Sequence, residues 1–299
     1  ILVSSLRTNA TDEDLICYAL APQGFTPKTF IYNWKRNGVP INDVLMPFDT
    51  QSSSTTNDYS GNGYVGTVNG ATWISNGVVG GAYAFDGTDD GIFVSVPSIF
   101  NDMKNNDFTI SMWLKSNDIS TNKSVVKTIL EVYIDDGNDV QIFQYNGSIQ
   151  FVVRANGEKR VSIKTCELSN NVWYHIEAVW TWDNVTIYVN GTPYALPGLR
   201  EYPLGDTVSM TLGQRTDDTG YFFGYIDEFY VYNYARSREQ IYQDYIDTKD
   251  GSTDHRTLVS EETSLGESWS CTITPNNSLT DGTQINSEVL TIVSYGGGT

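Results

Sequence analysis

Apolar and polar positions alternate in short runs along most of this chain, the period-two signature of half-buried strands. The runs Leu15–Leu20 and Phe30–Arg36 read this way, and Asn37-Gly38 closes the second with a turn dipeptide. In the middle of the chain, Phe108–Leu114 forms another run. Val140–Tyr145 and Ser148–Arg154 are separated by Asn146-Gly147, the strongest short-range hairpin signal a sequence offers. Trp173–Trp180 and Val185–Asn190 make a second such pair, and only the stretch near Ser237–Tyr242 reads as a short helix. The pattern predicts an all-β protein.

Length and composition narrow this further. A chain of 299 residues suits about two domains of ordinary size, and 39% hydrophobic with 13% aromatic residues gives material for packed cores. The net charge of −18 excludes nucleic acid as a partner, because nothing neutralises a row of phosphates, and it disfavours anionic membrane surfaces. No apolar run has the length of a membrane span, so no membrane insertion is expected. The segment Ile1–Ser5 lacks the basic-then-apolar layout of a signal peptide, and the chain reads as a mature product or an excised piece. Three cysteines, Cys17, Cys166 and Cys271, show no C-x-x-C spacing, which argues against zinc.

Two resemblances organise the chain. Cys17 on one strand, Trp34 on the next, and Ser264–Pro275 with Trp269 and Cys271 near the far end resemble the core strands of prokaryotic immunoglobulin-like repeats. Between them, Leu45–Asp49, Asp58–Gly63, Gly66–Trp73, Gly80–Asp90, Phe108–Trp113, Trp173–His175, Tyr188–Gly191 and Gly224–Asn233 follow one another in order. This series resembles a laminin-G-like, concanavalin-type jelly roll. Together they imply a concanavalin-type β-sandwich jelly roll at residues 42–250 inserted into an immunoglobulin-like β-sandwich, whose early strands lie at 1–41 and late strands at 251–299. Insertion at a surface turn is tolerated when the inserted termini lie close together. The immunoglobulin-like resemblance implies a disulfide between Cys17 and Cys271, leaving Cys166 unpaired.

The candidate chemistry divides into three sets. The jelly-roll resemblance places Asp58, Asn62 and Asp227 where related domains supply oxygens, so a structural Ca2+ ion is one expectation; side-chain bonding within turns is the other. Asp86, Asp89 and Asp90 read as turn formers. Exposed aromatics and polar neighbours, Tyr133, Trp182, Arg215, Asp217, Asp218, Tyr221 and Phe222, are candidates for stacking on and bonding to a sugar. The same jelly roll also carries glycoside hydrolases, which need paired carboxylates. Neither Glu131–Asp136 nor Asp227-Glu228 has the hydrolase pattern; His175 and His255 fall in different domains of this partition, and His175 reads as a packing residue rather than a member of a triad. Six N-x-S/T sequons, at Asn9, Asn122, Asn146, Asn184, Asn190 and Asn276, mark potential glycan attachment in a secreted protein.

The expected function is therefore a non-catalytic, extracellular or cell-surface adhesin-like module that binds glycans or a surface protein through the jelly roll. The alternative is a structural subunit of a glycosylated filament or sheath, self-assembling through its immunoglobulin-like part by strand addition. A secreted glycoside hydrolase ranks third.

Overall fold

The computed structural model describes residues 1–95, 106–119, 125–155, 157–164, 168–197, 209–251 and 255–294. Within them the regular structure is almost wholly antiparallel strand. The first four are β1 (Leu2–Ser4), β2 (Leu15–Cys17), β3 (Thr29–Arg36) and β4 (Val39–Pro40). The middle of the chain supplies β5 (Asn42–Met46), β6 (Thr55–Asn57), β7 (Val65–Asn69), β8 (Thr72–Ile74), β9 (Ala82–Asp86) and β10 (Gly91–Val94). It continues with β11 (Phe108–Ser116), β12 (Val126–Asp135), β13 (Asn138–Tyr145), β14 (Ser148–Ala155) and β15 (Glu158–Lys164). Then come β16 (Trp173–Trp180), β17 (Asn184–Val189), β18 (Thr192–Pro197), β19 (Ser209–Leu212), β20 (Phe223–Tyr232) and the helix α1 (Arg238–Thr248). The last four are β21 (Thr257–Leu258), β22 (Ser268–Asn276), β23 (Ile285–Asn286) and β24 (Leu290–Thr291).

Strands β5–β20 form two sheets packed face to face, a jelly-roll sandwich. One has the order β15-β14-β13-β12-β19-β10-β7-β6; the other runs β18-β17-β16-β11-β20-β9-β8, with β5 also beside β20. Alternation decides the faces. Leu130 and Val132 of β12, Val140 and Ile142 of β13, and Phe151 and Val153 of β14 meet Ile110, Met112 and Leu114 of β11 and Ile176, Ala178 and Trp180 of β16 in one core. Each such side chain contributes about 1.5–3 kcal/mol by leaving water. The hairpin at Asn146-Gly147 forms as predicted: both residues have positive φ, 49° and 79°, the twist that a two-residue turn between strands requires.

The two ends of the chain fold together. Strands β1-β2-β21 make a small sheet, and β23-β22-β3-β4, with β24 also on β22, make a larger one. A disulfide joins Cys17 of the first to Cys271 of the second, with Cα atoms 6.5 Å apart, and Trp34 lies directly across from Cys271 in the register of β3 and β22. The predicted strand Leu15–Leu20 ends early, at Cys17, and Leu20 is exposed. Cys166 lies outside the described residues. The core of this unit includes Leu15, Ile31, Trp34, Trp269 and Ile273, and also takes in Leu45, Tyr230 and Tyr232 from the jelly roll. The units therefore meet along a buried seam.

The helix is longer than its sequence suggested. Ser237 caps its start by accepting a hydrogen bond from the Gln240 backbone N–H, and the helix runs on to Thr248. The extension is hard to read because the buried face is mostly polar: Gln240, Asp244, Asp247 and Thr248 accompany Ile241. Their partners lie both on the helix and across the seam. Gln240 Nε2 donates to Asp244 (2.7 Å) and to the Thr257 carbonyl (2.9 Å), and its Oε1 accepts from the Val259 N–H (2.7 Å).

Candidate functional site

The outer face of the first sheet carries a grooved surface site. Pairing sets its side chains in rows. Ser209, Tyr133, Asp139 and Arg154 stand abreast on β19, β12, β13 and β14; the next row is Thr211, Glu131, Gln141 and Val152. Phe143 and Gln150 pair one step further along. These are the positions that alternate with the core residues, so one pleat fixes both the core and this face. The loop after β19 brings Arg215, Thr216 and Asp217 over the first two rows, forming a groove of about 470 Å3. At Arg154 and Arg215 it adjoins a smaller section of about 310 Å3 lined also by Val126, Gln141, Phe143, Tyr145, Gln150 and Val152.

The floor is a hydrogen-bonded carboxylate system. Gln141 Nε2 donates to Glu131 Oε1 (2.6 Å) and to Asp139 Oδ2 (3.1 Å), tying the two acids together. Glu131 Oε2 accepts from the Thr216 N–H and hydroxyl, both at 2.7 Å, and Arg215 Nε stands 3.5 Å from Oε1. Arg154 pairs with Asp139 Oδ2. Burial raises the Asp139 carboxyl above its usual range, and the opposing Arg154 guanidinium only partly offsets this. At the rim, the Tyr133 hydroxyl donates to Asp136 (2.9 Å), while Asp135 accepts from the Gly137 N–H (2.7 Å) to shape the β12–β13 turn. Fixed donors and acceptors beside a half-buried aromatic ring can hold a polar ligand in one orientation.

The structure gathers some of the expected site residues and disperses others. Tyr133, Arg215 and Asp217 line the groove. Asp218 and Tyr221 sit in the adjoining loop, where the Tyr221 hydroxyl donates to the Asp218 carbonyl (2.9 Å). Phe222 is instead a core residue, fully buried with its ring 6.2 Å from that of Phe85. Trp182 is half exposed on the β16–β17 turn of the other sheet, away from the groove. Glu131, Asp139, Gln141 and Arg154 were not among the expected ligand residues. The alternation Asp139, Gln141, Phe143, Tyr145 opposite Gln150, Val152, Arg154 around the Asn146-Gly147 turn was the available signal.

Asp58, Asn62 and Asp227, the expected calcium ligands, each make hydrogen bonds within the fold. Asp58 accepts from the Leu45 and Ser60 N–H groups and from the Ser60 hydroxyl; Asn62 Nδ2 donates to the Asp43 carbonyl. Asp227 is fully buried and accepts from the N–H groups of Val78, Val79 and Glu228. Among the described residues, the group close enough to share an ion is Asp86, Asp89 and Asp90. There Asp86 Oδ1 accepts from the Thr88 N–H (2.7 Å), as a turn former does. Of the sequons, Asn184 is exposed and Asn146 occupies the hairpin turn, while Asn190 Oδ1 accepts from the His175 N–H. Asn9 is partly buried and Asn122 lies outside the described residues. Asn276 is corrected: it is fully buried and its amide donates to Thr50 and Asp281, which leaves no access for a glycan in the folded chain.

Comparison with known proteins agrees with the architecture. Residues 86–242 match the family described as the concanavalin A-like lectin/glucanases superfamily, and the chain belongs to it. No curated protein matches the sequence. Among solved structures, the binding domain of botulinum neurotoxin DC in complex with SialylT is similar at 16% identity and a TM-score of 0.57, covering 69% of this chain and 51% of that one. The same binding domain in complex with rat synaptotagmin II matches at 15% identity and 0.57, covering 69% and 51%. The botulinum neurotoxin serotype G binding domain matches at 16% and 0.57, covering 69% and 50%. The match thus spans about half the length of those chains. At this identity the likeness is one of fold. Among the described residues, no helix is long and apolar enough to cross a membrane.

Proposed function

We propose that this chain is an extracellular, non-catalytic adhesin-like module that holds a glycan or a surface protein in the groove of β12, β13, β14 and β19. In this reading the disulfide-linked unit made by the chain ends is an immunoglobulin-like mount into which the jelly roll is inserted. The observation that carries it is the groove itself: Tyr133 and Arg215 stand at its wall above a floor whose polar groups are held by Gln141 and Thr216. The solved complexes of similarly folded binding domains, one with SialylT and one with synaptotagmin II, support a binding role for a jelly roll of this kind.

The same floor argues against glycosidase chemistry. A hydrolytic pair needs open space between its carboxyls for the scissile bond. Here the Gln141 amide fills that space, and each acid already faces a guanidinium. The filament reading has its own support in the exposed Leu6, Leu20, Leu265, Leu279 and Val289 of the disulfide-linked unit. Binding of the intact protein to a glycan array and to a panel of surface proteins separates these readings. The module reading expects selective retention that Tyr133→Ala abolishes and that Arg215→Ala changes in strength. No retained ligand, together with head-to-tail assemblies under the electron microscope, contradicts it and favours the filament.

A further inference from the structure

We infer that the groove selects a cationic ligand, a Lys- or Arg-bearing segment of an extended polypeptide, with its charged group at Asp139 and its apolar neighbours along Phe143 and Val152. This rests on the groove being the binding site proposed above. The first argument is charge. Five carboxylates, of Glu131, Asp135, Asp136, Asp139 and Asp217, line the groove against two guanidinium groups, so an anionic sugar is repelled and a cation attracted.

The second argument is an unmet acceptor. Asp139 is 4% exposed and its Oδ2 is occupied by Arg154 and Gln141, but its Oδ1 has no hydrogen-bond partner. A buried carboxylate oxygen without a donor is costly, and an incoming N–H of an ammonium or guanidinium group removes that cost. The adjoining section adds apolar surface: Val126, Phe143 and Val152 lie there among the polar groups of Gln141, Tyr145 and Gln150, so aliphatic side chains next to the cation find contacts. An extended chain alternates its side chains, so it can present a cation and apolar groups within the span of the two sections.

The test is titration calorimetry on the intact protein with a short blocked peptide of alternating lysine and leucine. The same peptide with glutamate for lysine, a glucosamine oligomer and a neutral cello-oligosaccharide serve as rival probes. The lysine peptide is expected to bind and the glutamate peptide not to bind. Asp139→Asn is expected to weaken binding about tenfold, the loss of one charge-assisted hydrogen bond. The exposed Asp217→Asn is expected to weaken it about twofold through charge alone. Asp250→Asn, beyond the end of α1, leaves binding unchanged. Equal losses in the Asp139 and Asp250 variants mean diffuse attraction to an acidic protein and overturn the proposal. If a sugar binds instead, and Tyr133→Ala and Arg215→Ala remove that binding, the cationic-peptide assignment falls while the groove reading stands. If no probe binds and the arrays retain nothing, both fall.

Discussion

At the seam, Arg236 and Asp244 stand 2.8 Å apart with side chains 3% and 0% exposed; in the groove, Arg215 faces Glu131 at 3.5 Å and is itself 37% exposed. The chemistry of the pairs is the same and the surroundings differ. The seam pair is enclosed by α1, β20 and the segment entering β21, where His255 Nδ1 lies 3.2 Å from Asp244 and the Trp34 indole donates to the His255 carbonyl. Burial alone raises the Asp244 carboxyl, but Arg236 and His255 together pull it down to about 2, so it stays ionised. Closed in this way, such a network fixes how two units dock. The groove pairs keep an open side, so the same groups remain available to a ligand. Enclosure distinguishes the seam from the groove.

The comparison breaks most visibly at the seam. Arg236→Met leaves Asp244 without its guanidinium, and breaking a buried pair costs about 3–5 kcal/mol. Urea denaturation followed by tryptophan fluorescence is expected to register that loss as a lowered midpoint. The disulfide comes next. Cys17→Ser with Cys271→Ser is expected to cost about 2–4 kcal/mol, less than a fully flexible loop of this length implies, because the enclosed jelly roll is itself folded.

A smaller effect concerns pH. Burial pushes the His175 imidazole from 6.5 down to about 3, and pushes the Glu177 carboxyl, Oε1 of which is 3.6 Å from His175 Nε2, well above its ordinary 4.5. Both are therefore neutral in the fold. Between about pH 4.5 and 6.5 the folded and unfolded pair hold the same number of protons, and the pair adds no slope to stability. Below 4.5 the unfolded chain holds one proton more, and stability falls as pH drops towards 3. Above 6.5 the folded chain holds one more, and stability falls as pH rises. Glu177→Gln is expected to remove the alkaline fall and to move the onset of the acid fall up from about pH 4.5 to 6.5, as measured by denaturation midpoints across pH. A variant with the wild-type alkaline slope contradicts this assignment. The smallest effect is in the groove: Arg154→Met is expected to cost about 1 kcal/mol or less, because that pair is partly solvated. A loss there as large as at the seam erases the distinction.

Much of the fold was legible in local pattern. The Asn146-Gly147 hairpin, the run Trp173–Trp180 and the ordered jelly-roll blocks each depend on neighbours in sequence. The site was legible by residue type but not by arrangement. Tyr133, Arg215 and Asp217 were selected, yet Asp139, Gln141 and Arg154 depend on which alternate set of a strand faces the core. Bringing Arg215 above Glu131 depends on β12 pairing with β19, a contact between distant segments. Phe222 was misplaced for the same reason, since its exposure is decided by Phe85 on β9. Asp58 and Asp227 have the residue type of calcium ligands, and in the fold they accept from backbone N–H groups distant in sequence.

The central claim, that the groove and not the disulfide-linked unit takes the ligand, is tested most directly by backbone hydrogen exchange. The intact protein is compared alone and saturated with the ligand that its array binding selects. The account predicts slowed exchange in Glu131–Asp139, Gln141–Arg154 and Ser209–Asp217, with β1, β2 and β22 unchanged. Slowed exchange centred on those three strands, with the groove unchanged, would contradict it.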